Sequence, residues 1–116
     1  MKPETHEFLP LSSAAFYILL TLAGDDLHGY GIIQQVRRQS GGHYRLGPGT
    51  LYDNLKKLMT LGLVTQSANR SAHDGPRRRY YRLTALGRSV FAEEVRRLEG
   101  ALRQARTHLA LGPRST

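Results

Sequence analysis

Cysteine is absent from the 116 residues, which excludes disulfide staples, thiolate metal sites and a cysteine nucleophile, and fits a reducing compartment. Tryptophan is absent too, so the broadest stacking floor for a planar ligand is missing. No apolar run approaches the ~18 residues needed to span a bilayer. The opening Met1-Lys2-Pro3-Glu4-Thr5-His6-Glu7 is polar and acidic-leaning, unlike a secretory or organellar signal, so no membrane partner is expected and cytoplasm is the expected compartment. Acids are scarce, with 9 Asp and Glu against 17 Lys and Arg and a formal net charge of +8. The length allows one domain, or one domain with a long arm, and leaves no room for a two-lobed enzyme around a cleft. What is present, 40% hydrophobic and 22% charged residues, belongs to a folded chain and not to a disordered one.

The positive charge is concentrated. Residues 1–26 hold one base and four acids, residues 27–92 eleven bases and two acids, and residues 93–116 five and three. A basic middle between near-neutral ends suggests a surface for a polyanion, most often nucleic acid, although net charge also serves solubility.

Leu11 to Leu22 is apolar around nearly its whole circumference, with Ser12 or Ser13 as N-cap, and predicts a helix buried on most sides. Gly24-Asp25-Asp26 breaks it. A second helix is expected from about His28 to Ser40, with Tyr30, Ile32, Ile33 and Val36 as its apolar arc, Arg37-Arg38 suiting its C-terminal dipole, and Gly41-Gly42 as its stop. After a short extended link, His43 to Leu46, Gly47-Pro48 opens a third helix. Its inward stripe is Leu51, Leu55, Leu58 and Met59, which puts Gly49, Thr50, Asp53, Lys56, Lys57 and Thr60 on the far side and Tyr52 at the boundary. Gly62 ends it. Leu63–Ser67 and Arg77–Leu83 read as two strands joined by a turn-rich loop, with Tyr81 and Leu83 inward and Arg78, Tyr80 and Arg82 outward.

Thr84 caps a long last helix that runs to about Ala110, before Gly112-Pro113. Phe91, Val95, Leu98, Leu102, Ala105 and Leu109 recur at spacings of 4, 3, 4, 3 and 4, a heptad stripe of nearly three repeats. A narrow stripe reaching ~25 residues past the last strand is hard to cover within so short a chain, which favours a homodimer over an intramolecular packing.

Three helices followed by a hairpin make a winged helix-turn-helix. The expected fold is therefore mainly α with a small β-hairpin wing and a long C-terminal dimerisation helix. The organisation is a tail (1–10), a winged domain (11–83), the dimerisation helix (84–112) and a second tail (113–116). Helix three presents small and polar groups that can enter a major groove about 12 Å wide. At its start Gly47 and Gly49 leave the orphan amides unshielded, which favours a phosphate. Loop and second strand hold Arg70, Arg77, Arg78, Arg79 and Arg82, with Tyr80 among them and only Asp74 against them. A hairpin tip so charged can straddle a backbone or enter a minor groove.

Gly29-Tyr30, Gly47-Pro48-Gly49-Thr50-Leu51-Tyr52, Leu55-Lys56-Lys57-Leu58 and Gly62-Leu63-Val64 resemble the PadR-type transcriptional regulators, and Arg79-Tyr80-Tyr81-Arg82-Leu83-Thr84-Ala85-Leu86-Gly87 resembles that family's wing-to-helix segment. The likeness extends over about residues 11–110. It implies a homodimeric repressor on a near-palindromic operator, of the short subfamily with one terminal helix, and in some relatives release by aromatic or drug-like molecules at the dimer centre. Two positions depart from the family pattern: Gly31, where an acidic or polar residue is usual, and Asp53, where proline or another uncharged residue is common.

Within that reading Thr50 and Asp53 are the expected base readers, an acid being able to accept from cytosine N4. Tyr52, Lys56 and Lys57, with the Gly49 backbone, hold phosphates, and Arg70, Arg77, Arg78 and Arg79 supply the wing. Phe91, Val95, Leu98, Leu102, Ala105 and Leu109 form the dimer interface. For Phe16 and Tyr17 core packing is favoured; the other possibility is an effector pocket against the partner's last helix, lined by Phe16, Tyr17, Phe91 and Val95.

Other residues carry no chemistry. The five histidines stand too far apart in sequence for a metal site, and no cofactor is expected. Asp25-Asp26 reads as turn and helix-start chemistry, Gly47-x-Gly49 lacks the rest of a dinucleotide fingerprint, and Glu93-Glu94 is expected on the solvated face of the last helix. No nucleophile–base pair is visible, so an enzyme is not expected. Two rivals remain: an interaction adaptor, for which duplex DNA would not compete with the acidic partner, and an RNA binder, which would prefer RNA to duplex DNA of matched length.

Overall fold

Ser12 starts the first helix by accepting the Ala15 N–H on its Oγ at 3.1 Å, so one orphan donor of the first turn is met by a side chain. In the computed structural model, which describes residues 5–67 and 79–112, this helix is α1, Ser13–Gly24. It is followed by β1 (Leu27–His28), α2 (Gly29–Gln39), α3 (Pro48–Thr60), β2 (Val64–Ser67), β3 (Tyr80–Leu83) and α4 (Ala85–Leu111). A short 3-10 helix, Thr5–Phe8, precedes them and lies against α4. No helix among the described residues is long and apolar enough to cross a membrane.

The fold is mainly helical with a small sheet, as the periodicities predict, and α1 runs through its centre. Ile18, Leu19 and Leu22 of α1 meet Ile32 and Val36 of α2, Leu51, Leu55 and Leu58 of α3, Leu63 and Val64 at the sheet, and Val90 of α4 in one buried cluster. Burial of that many aliphatic side chains, each contributing roughly 1.5–3 kcal/mol, is the main force holding the three helices together. Thr21 is buried among them because its hydroxyl donates to the Ile18 carbonyl at 2.8 Å.

The second helix differs from expectation at its start. His28 is not its first residue but its N-cap, the imidazole Nδ1 accepting the Gly31 N–H at 3.1 Å. Tyr30, expected in the apolar arc, is 61% exposed. The buried residues of α2 are Gly29, Gly31, Ile32 and Val36, and at 100° per residue Tyr30 is rotated out of the line through Ile32 and Val36. The helix ends where Gly41 and Gly42 take φ values of +64° and +82°, and the Gly42 N–H bonds back to the Arg37 carbonyl at 2.8 Å.

The sheet has three strands where the sequence suggests two, in the order β1-β3-β2, all antiparallel. Leu27 pairs with Tyr81 and His28 with Tyr80, while Val64 pairs with Leu83 and Gln66 with Tyr81. Tyr81 and Leu83 are buried, the inward pair expected of that strand, and Arg82 is exposed. The last strand is described from Tyr80; Arg77 and Arg78, at which the sequence pattern starts it, lie outside the described residues.

A clasp fixes the root of α4. The Thr84 hydroxyl donates to the Gly62 carbonyl at 2.6 Å and accepts the Gly87 N–H at 2.9 Å, while the Thr84 N–H donates to the Leu63 carbonyl at 3.1 Å. Gly87 is buried, and a Cβ there would overlap the Leu63 carbonyl oxygen and come within 2.9 Å of Leu83 Cδ1. Only glycine lets the first turn of α4 sit this close to the end of α3's connection to the sheet.

Glu94 corrects the expectation of a solvated face. Glu93 does face water and pairs with Arg96 at 2.8 Å, but Glu94 is 1% exposed. Its carboxylate accepts the Leu11 N–H at 2.8 Å and binds the Arg97 guanidinium, whose Nη2 lies 3.2 Å from Oε2. A buried carboxylate is tolerated because both oxygens are supplied with donors.

Candidate nucleic-acid interface

The third helix begins without a side-chain cap. Gly47 occupies the N-cap position, has no oxygen to offer, and is followed by Pro48 in the first turn. The amides of Gly49 and Thr50 therefore point from the helix start with no capping side chain, a ready position for an anionic oxygen. Gly47, Pro48, Gly49 and Thr50 are all exposed.

Leu51, Leu55 and Leu58 pin the opposite face into the core. As a result Tyr52, Asp53, Lys56, Lys57 and Thr60 form one exposed strip with Thr50 at its head, as the helical spacing predicts. Asp53, Lys56, Lys57 and Thr60 line a shallow recess on that strip. Asn54 donates to the Thr50 carbonyl at 2.8 Å and Thr60 to the Lys56 carbonyl at 2.9 Å, so both are occupied along the helix. Asp53 has no ion-pair partner among the described residues.

Tyr52 is half exposed, at 51%, and its hydroxyl packs on Gly29, where a Cβ would overlap it and lie 3.0 Å from the ring carbon Cζ. Gly29 thus brings the starts of α2 and α3 together, a reason for the Gly-Tyr pair that spacing alone does not supply. Tyr30, which the apolar spacing places in the core, lies instead at the surface of α2 beside this contact. Burial pushes the Tyr81 phenol above its ordinary value, with Tyr52 adding to the effect and a hydrogen bond with Gln66 opposing it.

Just ahead of β3 Arg79 is exposed and donates to Gln66 Oε1 of β2 at 3.2 Å. Arg82 is held differently: its Nε meets Asp26 Oδ2 at 3.0 Å across the β1–β3 edge. Asp25 Oδ1 accepts the Asp26 N–H at 2.8 Å, the turn chemistry expected of the pair, while the bridge to Arg82 has no signal in the sequence. Arg70, Arg77 and Arg78, the remaining wing bases, lie outside the described residues.

Along α4 the heptad stripe changes character. Phe91 and Val95 are half-buried, but Leu98 is 38%, Leu102 49% and Leu109 80% exposed, and Ala105 is exposed with every other residue from 101 to 112. Phe91 packs on Phe16 with ring centroids 5.4 Å apart, Phe16 meets Tyr17 edge-on at 5.6 Å, and Tyr17 stacks on Tyr44 at 5.0 Å. Tyr44, which the sequence places only in a link, closes an aromatic row in which Phe16, Tyr17 and Phe91 already touch one another.

Among the described residues no group of three His, Asp or Glu is placed to hold a metal ion. His28 serves as a cap and lies edge-on to Tyr80, with centroids 5.7 Å apart.

Residues 18–93 match the Transcriptional regulator PadR-like family. The transcriptional regulator Rv3488 of Mycobacterium tuberculosis is 34% identical over 93 residues, covering 80% of this chain and 82% of the relative. A PadR family transcription regulator from hypervirulent Clostridium difficile R20291 superposes with a TM-score of 0.67 at 28% identity, over 87% of this chain and 100% of that one. Bacillus subtilis PadR, solved in complex with operator DNA, gives a TM-score of 0.63 at 22% identity over 72% of this chain and 48% of that one, a likeness of fold.

Proposed function

The chain belongs to the PadR-like family of transcriptional regulators, and from that premise we propose that it binds double-stranded DNA sequence-specifically, as a homodimeric repressor on a near-palindromic operator. The family is one of transcription regulators and not of enzymes, and no reaction is assigned to the chain. One observation carries the proposal: the uncapped start of α3 and its exposed Thr50, Tyr52, Asp53, Lys56 and Lys57 form a continuous polar strip, backed by three buried leucines that hold it outward. A helix of this kind fits a major groove, with the lysines and the free amides on phosphates and Thr50 and Asp53 toward base edges. Arg79 places a further base just ahead of the adjoining strand, and Arg70, Arg77 and Arg78 extend the wing in the proposal. The operator complex of the Bacillus subtilis relative supports duplex DNA over RNA or an acidic protein as the partner.

Dimerisation through Leu98, Leu102, Ala105 and Leu109, continued by Phe91 and Val95, belongs to the same proposal, because this apolar stripe has no cover among the described residues. A small aromatic effector would enter beside Phe16, Tyr17, Phe91 and Val95, all half-buried, by extending the existing ring stack.

The test is selection of bound duplexes from a random pool. The proposal expects a motif with two-fold symmetry and half-sites about 10 bp apart or a multiple of it. Recovery of no symmetric motif, or tighter binding to RNA of matched length, would overturn it.

A further inference from the structure

Arginine supplies almost all the positive charge of this chain. Of its 17 Lys and Arg residues 14 are arginines, and the three lysines are Lys2, Lys56 and Lys57. The ion pairs that the described residues make with one another all use arginine, Arg82 on Asp26, Arg96 on Glu93 and Arg97 on Glu94. From residue 3 to residue 116, lysine occurs only at two adjacent positions of α3, both on its exposed strip. We infer that Lys56 and Lys57 form an acylation site, at which an acyl phosphate switches off duplex binding. The inference rests on the DNA reading above and adds a regulation of the same face.

Chemistry separates the two kinds of base. A guanidinium stays protonated at any physiological pH, whereas a lysine amine can be set free and is the ordinary target of acetylation. An acyl donor therefore spares the arginine pairs that brace the fold and reaches the middle of α3. There both lysine side chains are exposed, and neither has an ion-pair partner among the described residues. Turning either ammonium into an amide removes a cation from the strip.

Geometry gives the donor a place. Lys56 and Lys57 line one shallow recess of about 380 Å³ together with Asp53 and Thr60. Two ammoniums against one carboxylate leave the recess positive, and the Thr60 hydroxyl is turned to the Lys56 carbonyl. One ammonium holds the phosphate dianion while the other lysine, as the neutral amine, attacks the acyl carbon. A C–N bond forms as the C–O bond to phosphate breaks, and inorganic phosphate leaves with the electron pair. The proton lost by the nitrogen passes to the Asp53 carboxylate, one turn back from both lysines, and on to water.

Each acylated lysine that held a phosphate takes about one unit from the log–log salt slope and, near 0.1 M salt, roughly tenfold from the affinity. The loss falls on every duplex alike, because phosphate contacts carry no sequence information. Bound DNA in turn covers the two amines, so the free protein is modified and the bound protein is protected.

Acetyl phosphate is the reagent that tests this, with a duplex of unrelated sequence in low salt as the ligand. The full chain is treated alone and under excess duplex, and the acetyl groups are mapped by peptide mass spectrometry. Affinity is measured before and after treatment for the wild type, Lys2→Arg and Lys56→Arg/Lys57→Arg. Acetyl groups are expected on Lys56 or Lys57 ahead of Lys2, with protection by the duplex and unchanged thermal melting. Wild type and Lys2→Arg should each lose roughly tenfold or more on treatment, whereas Lys56→Arg/Lys57→Arg keeps whatever affinity it had before. Reaction at Lys2 with Lys56 and Lys57 untouched overturns the inference, as does equal loss in the Lys56→Arg/Lys57→Arg chain. Acetylation of both lysines with full affinity retained overturns it too. An untreated wild type that binds no duplex overturns the DNA reading itself, which is a separate failure.

Discussion

The carboxylate of Glu94 accepts the backbone N–H of Leu11 at 2.8 Å, joining residues 83 positions apart. The same carboxylate holds Arg97, so the entry of the chain into α1 and the middle of α4 share one buried charge. Hydrogen bonds to an ionised group contribute roughly 1.5–3 kcal/mol, and loss of the acceptor strands the donors. Glu94→Ala is expected to lower stability to urea by an amount in that range, and Glu94→Gln, which keeps one acceptor oxygen, by less.

The pH dependence follows from the same carboxylate. Arg97, with the Leu11 amide in support, holds the Glu94 carboxyl below its ordinary value of 4.5, against the opposing effect of burial. A carboxyl more acidic when folded than when unfolded stabilises fully above the unfolded value, and that contribution fades as pH falls toward the folded one. Urea midpoints of the wild type measured from pH 7 downward should therefore drop below about pH 5 more steeply than those of Glu94→Gln. Parallel curves would show that this carboxyl does not couple titration to folding.

Two glycines of α4 should respond oppositely to alanine. At Gly87 the added methyl overlaps the Leu63 carbonyl, and overpacking of this kind costs typically about 1–3 kcal/mol. At Gly100 the nearest atom is Arg103 Nη2 at 3.8 Å, and alanine should gain roughly 0.5–1 kcal/mol from helix propensity. Thermal melting of the two variants checks the contrast.

On the proposed DNA face, Lys56→Ala/Lys57→Ala should weaken binding to every duplex alike and flatten the salt dependence by about one unit of log–log slope for each phosphate that is no longer neutralised. Fluorescence titrations across salt concentrations read both. Full affinity with an unchanged slope would remove these lysines from the interface.

Asp53 should behave differently, because an acid in that strip repels phosphates and is useful only where it accepts from a base. Asp53→Asn is expected to tighten binding to unrelated duplexes while relaxing the preference at one position of each half-site by roughly 1–3 kcal/mol. Repeating the duplex selection with the variant measures it.

Much of this architecture is legible in the sequence because it depends on local periodicity. The Leu51-Leu55-Leu58 stripe, the Thr84 cap and the glycine stops after α2 and α3 each follow from neighbours within one or two turns. What stays hidden depends on distant partners. β1 has two residues, too few to show alternation, and exists because β3 offers it an edge. Glu94 reads as a surface acid on a helical wheel, since nothing near it reveals the Leu11 amide. Tyr30 looks like core beside Ile32 and Ile33 until the packing of α2 on Gly29, Ile32 and Val36 sets which line faces inward. The strip on α3 is legible as exposed, whereas the packing of the Tyr52 hydroxyl on Gly29 requires both helix starts to be in place.

The three bonds around Thr84, with Gly87 wedged against the Leu63 carbonyl, leave no hinge between the reading head and its long lever. In the proposed dimer each protomer therefore swings as a rigid piece. There, a signal that alters the distance between the two heads acts by sliding or rocking one protomer against the other, and a small shift at their junction is magnified along the length of the lever.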